Sequence, residues 1–205
     1  ISFQPSEMAK LAMVLFAADL LARRGSKVRN WRLGMLPVLV VFGVVAGMFL
    51  LQPNLGTTII LATVVLVMLF VAGSPLKPLG VAVGGMATAA VVLAFSAPYR
   101  VRRLMAFRDP WADPLNAGHQ TVQSQTGLAN GGLLGTGLGE GRAKWGFLPE
   151  AHTDFIFSII GEELGLLGSL TVVGLFVALG VLGVRTALRA PDRYGMMIAT
   201  GATAW

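Results

Sequence analysis

Two carboxylates and an imidazole lie close together in the polar segment before a long apolar run. Glu150, His152 and Asp154 follow one another at i, i+2 and i+4 within Leu148–Phe157, a spacing that can bring an acid and a base into one polar pocket. A second interpretation stays open, in which Thr153 and Asp154 cap the following helix, whose free amides favour a carboxylate. The segment has neither the order of a Ser-His-Asp triad nor the spacing of HExxH zinc ligands.

A pair of opposite charges lies near the beginning of the sequence. Glu7 and Lys10 are three residues apart, which places both on one face of a helix and allows an ion pair. Charged residues inside a membrane are costly and usually face a cavity or a substrate path, so we expect the pair to support a site electrostatically. Glu162 and Glu163 follow Asp154 along the chain, and we expect them to make an internal polar contact that orders the helices.

Basic residues cluster between positions 98 and 154. They are Arg100, Arg102, Arg103, Arg108, Arg142 and Lys144. Two interpretations stay open: these side chains reach lipid headgroups and pair with Asp109 and Asp113, or they bind an anionic ligand, because arginine forks match phosphate oxygens. Gln123 and Ser124 add hydrogen-bonding groups to the same region. The glycine-rich stretch Gly131–Gly141 is typical of tight turns or of re-entrant backbone packed among helices.

Composition predicts the elements that position these residues. Of the 205 residues, 55% are hydrophobic and 13% are charged, about half the charged share of a soluble domain, and the mean hydropathy is +0.71. The sequence therefore predicts an all-α, polytopic integral membrane protein built as a helical bundle. The absence of cysteine excludes a disulfide scaffold, a thiolate metal site and a catalytic thiol. The net charge of +6 indicates cytoplasmic loops rather than a nucleic-acid partner.

Apolar runs of the sequence predict transmembrane helices or parts of them. The runs are Met8–Ala22, Leu33–Leu51, Leu55–Ala72, Leu79–Ala97, the overlong Phe155–Val184, and Gly195–Trp205. Because basic residues concentrate in Arg23–Arg32 and Arg185–Tyr194, the positive-inside rule places these connectors in the cytoplasm. Pro98–Asp154 is then a large extracytoplasmic loop within a single transmembrane domain that spans residues 1–205. The sequence begins at Ile1 without an initiator Met, ends at Trp205 inside an apolar run and has no signal-peptide pattern. We therefore expect a fragment of a longer polytopic protein.

Several motifs occur in the order seen in the SEDS glycosyltransferases. They are QPSEMAK (Gln4–Lys10), QPNLGT (Gln52–Thr57), PYRVRR (Pro98–Arg103), DPWADP (Asp109–Pro114), GHQTVQS (Gly118–Ser124), GLGEGRAK (Gly137–Lys144) and LPEAHTDFIFSIIGEELG (Leu148–Gly165). The chain resembles this family over almost its entire length. The chain resembles the FtsW-type branch more than the RodA-type branch in the motif DPWADP and in Ala151 and Gly161 of the last motif. Family members have about ten spans, so the resemblance implies that the N-terminal spans are missing here.

The resemblance implies a peptidoglycan glycosyltransferase that polymerises lipid II at the outer face of the bacterial cytoplasmic membrane and releases undecaprenyl diphosphate. Asp154 matches the family's essential aspartate, proposed to activate the acceptor sugar hydroxyl, and Glu7 and Lys10 match a polar pair in a central cavity. The expected partners are lipid II, the undecaprenyl diphosphate-linked glycan, a class B penicillin-binding protein transpeptidase and other divisome membrane proteins. The expected location is the division septum, with a role in cell-wall biogenesis, cell division and cell shape.

The basic cluster fits the chemistry of a diphosphate leaving group, whose developing negative charge cations stabilise. The expected substrate-binding residues are Glu7, Lys10, Arg100, Arg102, Arg103, Gln123, Ser124, Lys144, Glu150 and His152. No cofactor is certain, and a divalent cation, Mg²⁺ or Mn²⁺, could share the charge stabilisation. Two alternatives stay open: a flippase or transporter of a lipid-linked precursor, whose site should lie near the membrane midplane, and a non-catalytic scaffold for a transpeptidase, which would tolerate loss of Asp154.

Overall fold

The apolar runs of the sequence form helices in the structure, a computed structural model that describes residues 4–52, 54–116, 118–141 and 154–205. The α-helices among these residues are α1 (Pro5–Arg24), α2 (Met35–Leu51), α3 (Leu55–Val71), α4 (Leu76–Phe95), α5 (Pro98–Arg108), α6 (His119–Gly131), α7 (Ile156–Arg189) and α8 (Arg193–Ala204). Two short 3-10 helices cover Gly25–Arg29 and Pro110–Ala112. No strand occurs in the described ranges, and the all-α prediction is confirmed.

Each predicted apolar run corresponds to a helix. The largest difference in boundaries is at the end of α7, which reaches Arg189 rather than Val184, and α4 differs by three residues at its beginning. This helix begins at Leu76 rather than at Leu79, because Pro78 in the first helical turn removes no hydrogen bond that the turn needs. α4 and α7 are long and apolar enough to cross a membrane, with mean hydropathies of 1.9 and 2.3, and almost none of their most apolar residues are buried. Apolar surface that stays exposed to this extent is typical of helices surrounded by lipid.

The described residues of the segment Pro98–Asp154 include two α-helices that the sequence did not predict. α5 begins at Pro98, which suits the first helical turn, after Ala97 in an extended conformation. α6 begins at His119 and is polar. The sequence did not indicate these helices, because both are short and lack an apolar run. The extracytoplasmic location of this segment stays a prediction.

Packing divides the structure into two compact units. The first unit comprises Ile1–Ala94 and Leu179–Trp205, and the second comprises Phe95–Ala178. In the first unit, α1 packs against α2, α3 and α8, and the buried residues of α1 share one helical face. Gly201 allows α8 to approach α1, since an added Cβ would lie 2.5 Å from Val14 Cγ1. A single transmembrane domain over residues 1–205 stays a prediction.

α7 is interrupted at Gly165. This residue has φ +66° and ψ −163°, a backbone conformation that essentially only glycine adopts. Residues 156–164 therefore form a first segment of α7, and residues 166–189 form a second segment. The break explains why the predicted run Phe155–Val184 was longer than a bilayer requires.

Candidate active site

Asp154 lies just before α7 and is exposed. The first hydrogen bonds of the helix are accepted by the Phe155 carbonyl, from Ser158 N–H at 2.9 Å and from Ile159 N–H at 3.4 Å. Among the described residues, no hydrogen bond or ion pair involves the Asp154 carboxylate. Within the described residues Asp154 does not cap α7, and Thr153, the other expected cap, lies outside them. The Asp154 carboxylate is available to accept a proton from a bound molecule.

The break in α7 leaves two amides without their usual helical partners. In an unbroken helix, Leu166 and Leu167 would donate to carbonyls four residues back. Instead, Leu166 N–H donates to the Gly132 carbonyl at 2.9 Å, and Leu167 N–H donates to the Leu133 carbonyl at 3.3 Å. The glycine-rich stretch thus supplies the acceptors that the helix loses at Gly165.

The same stretch supplies donors to the carbonyls that the break leaves free. Thr136 N–H donates to the Glu162 carbonyl at 2.9 Å, and Gly137 N–H donates to the Glu163 carbonyl at 3.1 Å. The Thr136 hydroxyl adds a bond of 3.0 Å to the Glu162 carbonyl. We call this reciprocal arrangement, in which residues 132–137 bond to both sides of the break at Gly165, the glycine clasp. It satisfies backbone groups that lipid could not satisfy and fixes the first segment of α7, which Asp154 precedes.

The side chains of Glu162 and Glu163 both lie beside Gly141. Glu162 is 2% exposed, and a Cβ added to Gly141 would lie 3.0 Å from Glu162 Oε2 and 3.1 Å from Glu163 Oε1. The two carboxylates are therefore packed against the end of the glycine-rich stretch rather than exposed on a lipid-facing surface. This placement fits the internal polar contact that the sequence led us to expect.

α6 packs on the first segment of α7. Ser124 Oγ and Ser158 Oγ share a hydrogen bond of 2.5 Å, and the two backbones come into close contact at Gly131 and Gly161, where a Cβ on Gly131 would collide with the Gly161 carbonyl. Gln123 is half-buried on the same helix. The structure thus brings α6, with two of the predicted substrate-binding residues, to the helix that begins beside the candidate base.

Three of the four arginines of α5 are predicted substrate-binding residues, and their surroundings differ. Arg100 Nε donates to Tyr99 Oη at 2.9 Å, and its guanidinium lies 5.4 Å from the centre of the Tyr99 ring, so its side chain is held in place. Arg102 and Arg103 are exposed and make no ion pair within the described ranges. Asp109, one of the acids expected to pair with this cluster, instead accepts a hydrogen bond from a backbone amide two residues on, at 3.2 Å. Arg102 and Arg103 are therefore available to an anion.

Lys10 lies between a carboxylate and an indole ring. Its Nζ atom is 2.7 Å from Glu7 Oε1 and 5.0 Å from the centre of the Trp205 ring. Lys10 is 7% exposed, whereas the Glu7 side chain is 49% exposed. The ion pair predicted from the spacing is confirmed, and only its cation is buried. Ser6 Oγ, also buried, has no hydrogen-bond partner among the described residues.

The unequal burial of the pair predicts unequal effects of substitution. We expect Glu7→Gln to lower the free energy of unfolding by about 1–3 kcal/mol, because it leaves a buried ammonium without its carboxylate. Lys10→Met leaves an exposed carboxylate that water can solvate, at a cost below about 1 kcal/mol. Thermal unfolding of the two variants in the same detergent checks this order. The double variant should recover most of the loss in Glu7→Gln, and equal losses in the two single variants would contradict the asymmetry.

The remaining site predictions divide between described and undescribed residues. Lys144, Glu150 and His152 lie outside the described residues, and their roles stay predictions. The Glu7–Lys10 pair belongs to the first unit, while α5, α6 and Asp154 belong to the second. Within the described part of the chain, no group of three or more His, Asp or Glu side chains could hold a metal ion. These residues alone do not form a site for the Mg²⁺ or Mn²⁺ ion that could share the charge stabilisation.

Two features of the site were missed at the level of sequence. The first is the contact of Trp205 with Lys10, which joins α8 to α1 and has no local signal. The second is the role of Thr136 in the glycine clasp. A signal for the clasp was present, since Gly135, Gly137 and Gly139 alternate along the chain and all have positive φ, as turns that need glycine do.

Known proteins are similar to this chain over its full length. The family model described as "Cell cycle protein", for FtsW, RodA and SpoVE, matches residues 1–205. A probable peptidoglycan glycosyltransferase FtsW from Geobacter sp. (strain M18) is 40% identical over 201 residues, which are 98% of this chain and 54% of that protein. Stage V sporulation protein E from Bacillus subtilis (strain 168) is 43% identical over 204 residues, 98% of this chain and 55% of that protein.

The fold is also similar to a solved one. A chain from a structure described as "Structural coordination of polymerization and crosslinking by a peptidoglycan synthase complex" matches with a TM-score of 0.72 and 30% identity, covering 100% of this chain and 56% of that chain. The present chain spans about half the length of the curated relatives it matches. Because the family model matches every residue and the fold agrees, the chain belongs to the FtsW/RodA/SpoVE family of membrane proteins.

Proposed function

We propose that the full-length protein is a peptidoglycan glycosyltransferase that polymerises lipid II into glycan strands at the outer face of the bacterial cytoplasmic membrane. The observation that carries this proposal is Asp154, an exposed carboxylate without a capping role, placed before a helix that the glycine clasp fixes. Relatives named as probable peptidoglycan glycosyltransferases support it. The FtsW-type names among them favour synthesis of septal wall over lateral wall.

In the proposed reaction, the Asp154 carboxylate accepts the proton of an acceptor sugar hydroxyl. The hydroxyl oxygen attacks the anomeric carbon of the donor, the bond from that carbon to the diphosphate oxygen breaks, and undecaprenyl diphosphate leaves with the electron pair. Attack from the face opposite the leaving group inverts the anomeric centre. A base within hydrogen-bond reach of the acceptor contributes to the rate by lowering the cost of the developing positive charge on the hydroxyl.

The guanidinium groups of Arg100, Arg102 and Arg103 stabilise the leaving group in this proposal. Two negatively charged phosphoryl groups develop further charge as the glycosidic bond breaks, and fixed cations stabilise that charge more than they stabilise the ground state. Arg100 is positioned by Tyr99, and Arg102 and Arg103 are exposed without ion pairs in the described ranges. Glu7 and Lys10 support the substrate path electrostatically rather than transfer protons.

The relatives and the apolar helices also support a proposal about the partners and the location of this protein. The solved neighbour belongs to a peptidoglycan synthase complex, by its description. We propose that this protein likewise works with a class B penicillin-binding protein transpeptidase, among other divisome membrane proteins, at the septum. The apolar helices α4 and α7 support a membrane location.

The test is glycan synthesis from lipid II by the purified full-length protein reconstituted in liposomes. The proposal predicts polymeric glycan in the absence of any transpeptidase, which a scaffold would not produce. A flippase would instead transfer lipid II between leaflets without forming glycan, and the same liposomes report that transfer. Transfer without polymer, or no product of either kind from folded protein, would contradict the proposal.

Arg102 and Arg103 should each contribute to this activity. We expect Arg102→Gln and Arg103→Gln each to lower kcat/KM for lipid II on the order of tenfold, because a hydrogen bond to a charged group contributes about 1.5–3 kcal/mol. Arg108→Gln is the matched control, because Arg108 is exposed on the same helix. This substitution removes the same charge. An equal loss in the control would show a general effect of surface charge instead of contacts with the diphosphate.

A further inference from the structure

A groove lies in the first unit where α1 ends and α2 begins. Its volume is about 460 Å³, within the range of ligand pockets in proteins. One end is lined by Arg24 and Arg32, and the rest by six apolar side chains: Phe16, Leu33, Leu36, Pro37, Val40 and Val41. No residue of the proposed polymerase site lines this groove, which combines cations at one end with an apolar floor.

The two guanidinium groups have no anionic partner among the residues that the structure describes. Neither Arg24 nor Arg32 makes an ion pair within the described part of the chain, and no acidic side chain lines the groove. Their neighbour Arg23 differs, because its Nε atom pairs with Asp19 at 2.7 Å. Two uncompensated positive charges at one end of an apolar groove favour an anionic ligand.

The connector that carries Arg32 is ordered rather than a flexible basic loop. Leu33 N–H and Gly34 N–H both donate to the Asn30 carbonyl, at 3.0 and 2.9 Å. Gly34 packs so tightly that an added Cβ would lie 2.7 Å from Val28 Cα, and Val28 is 1% exposed. The Arg32 guanidinium lies 5.6 Å from the centre of the Trp31 ring. These contacts hold the arginine at the rim of the groove before any ligand binds.

The direction of the groove matches the geometry of a membrane lipid. The arginines lie where the charged end of α1 meets the connector, and the apolar residues continue along α2, where Leu36 and Val40 follow one another by one helical turn and are 41% and 56% exposed. A headgroup phosphate would meet the arginines while an acyl chain follows the apolar side chains. Basic pockets between transmembrane helices on the cytoplasmic side are known to bind anionic headgroups, and the basic connector Arg23–Arg32 is predicted to face the cytoplasm.

We propose that this groove binds an anionic phospholipid of the cytoplasmic leaflet, with its phosphate on Arg24 and Arg32 and an acyl chain along Leu36 and Val40. Free phosphate would use the two arginines but would have no use for the apolar floor. The binding is separate from lipid II polymerisation and makes no use of Asp154.

The test measures lipid binding to the purified full-length protein in neutral detergent, by native mass spectrometry with phosphatidylglycerol or phosphatidylcholine. The expected result is preferential retention of phosphatidylglycerol. Arg24→Gln and Arg32→Gln should each weaken its binding about fivefold, the change that corresponds to about 1 kcal/mol per basic residue near a membrane surface. Arg29→Gln removes an exposed charge of the same connector that does not line the groove, and it should leave binding nearly unchanged.

Two further experiments test whether the ligand is a lipid rather than free phosphate, and whether it lies along α2. Inorganic phosphate in excess should not displace phosphatidylglycerol. Displacement would show that the groove binds phosphate alone and does not recognise the lipid. A photo-crosslinking residue at Leu36 should capture phosphatidylglycerol more than one at Met48, which is exposed at the other end of α2. Equal loss in Arg24→Gln, Arg32→Gln and Arg29→Gln, or equal capture at the two positions, would overturn the proposal. Because glycan synthesis is not a readout here, failure of this proposal leaves the polymerase proposal untouched.

Discussion

Gly165→Ala is expected to destabilise the protein by about 2 kcal/mol or more. The alanine would have to adopt φ +66° and ψ −163°, which costs about 1–3 kcal/mol for a residue with a Cβ. That Cβ would also lie 2.6 Å from the Leu133 carbonyl oxygen, so the glycine clasp would have to open and release buried backbone groups. Thermal unfolding of the full-length protein in detergent, together with the yield of monodisperse protein, measures the effect.

The matched control is Gly174→Ala, on the second segment of the same helix. No atom lies within 4 Å of a Cβ added there, and alanine is favoured over glycine inside a helix by about 1 kcal/mol. We therefore expect unchanged or higher stability in the control. Similar stability of the two variants would show that the break in α7 does not depend on the clasp.

Asp154→Asn is expected to abolish most polymerisation while leaving folding and lipid II binding intact. Asparagine caps a helix about as well as aspartate, so any structural role at the head of α7 survives the change. What is lost is the group that accepts the proton of the acceptor, and general bases contribute on the order of 10²–10⁴-fold in rate. The loss should appear in kcat with little change in KM, since the removed interaction serves the transition state.

Asp109→Asn is the matched control for this substitution. Asp109 belongs to the same unit and uses Oδ1 to accept a hydrogen bond from Trp111 N–H at 3.2 Å, a bond that an asparagine oxygen can also accept. We expect near-normal activity in this variant, which shares the loss of one carboxylate charge. A kcat reduced as far in Asp109→Asn as in Asp154→Asn would indicate a shared structural cause.

Much of the fold could be predicted because membrane helices carry their signal locally. Long apolar runs such as Leu55–Ala72 indicate a span whatever they pack against, and α3 (Leu55–Val71) ends within one residue of the prediction. The i, i+3 spacing of Glu7 and Lys10 likewise predicts a common helix face, and the two side chains form an ion pair there. α5 and α6 escaped prediction because short polar helices lack an apolar run.

The site was harder to predict than the fold because it depends on pairing between distant backbone groups. The glycine pattern of Gly131–Gly141 indicated turns packed among helices, and residues 132–137 do lie against the break in α7. Which carbonyl and amide each residue contacts has no signature in side-chain type. The break itself had only one local sign, Gly165, and glycine is common elsewhere in α7 without any break. The contact of Trp205 with Lys10 joins residues at the two ends of the chain.

The most direct measurement is the initial rate of glycan synthesis from lipid II by equal amounts of the purified full-length protein and its Asp154→Asn variant. Both proteins must first show the same unfolding temperature and the same lipid II binding. If Asp154 is the general base of glycosyl transfer, the variant should form glycan on the order of 10²–10⁴-fold more slowly. Near-equal rates would contradict the catalytic role of Asp154.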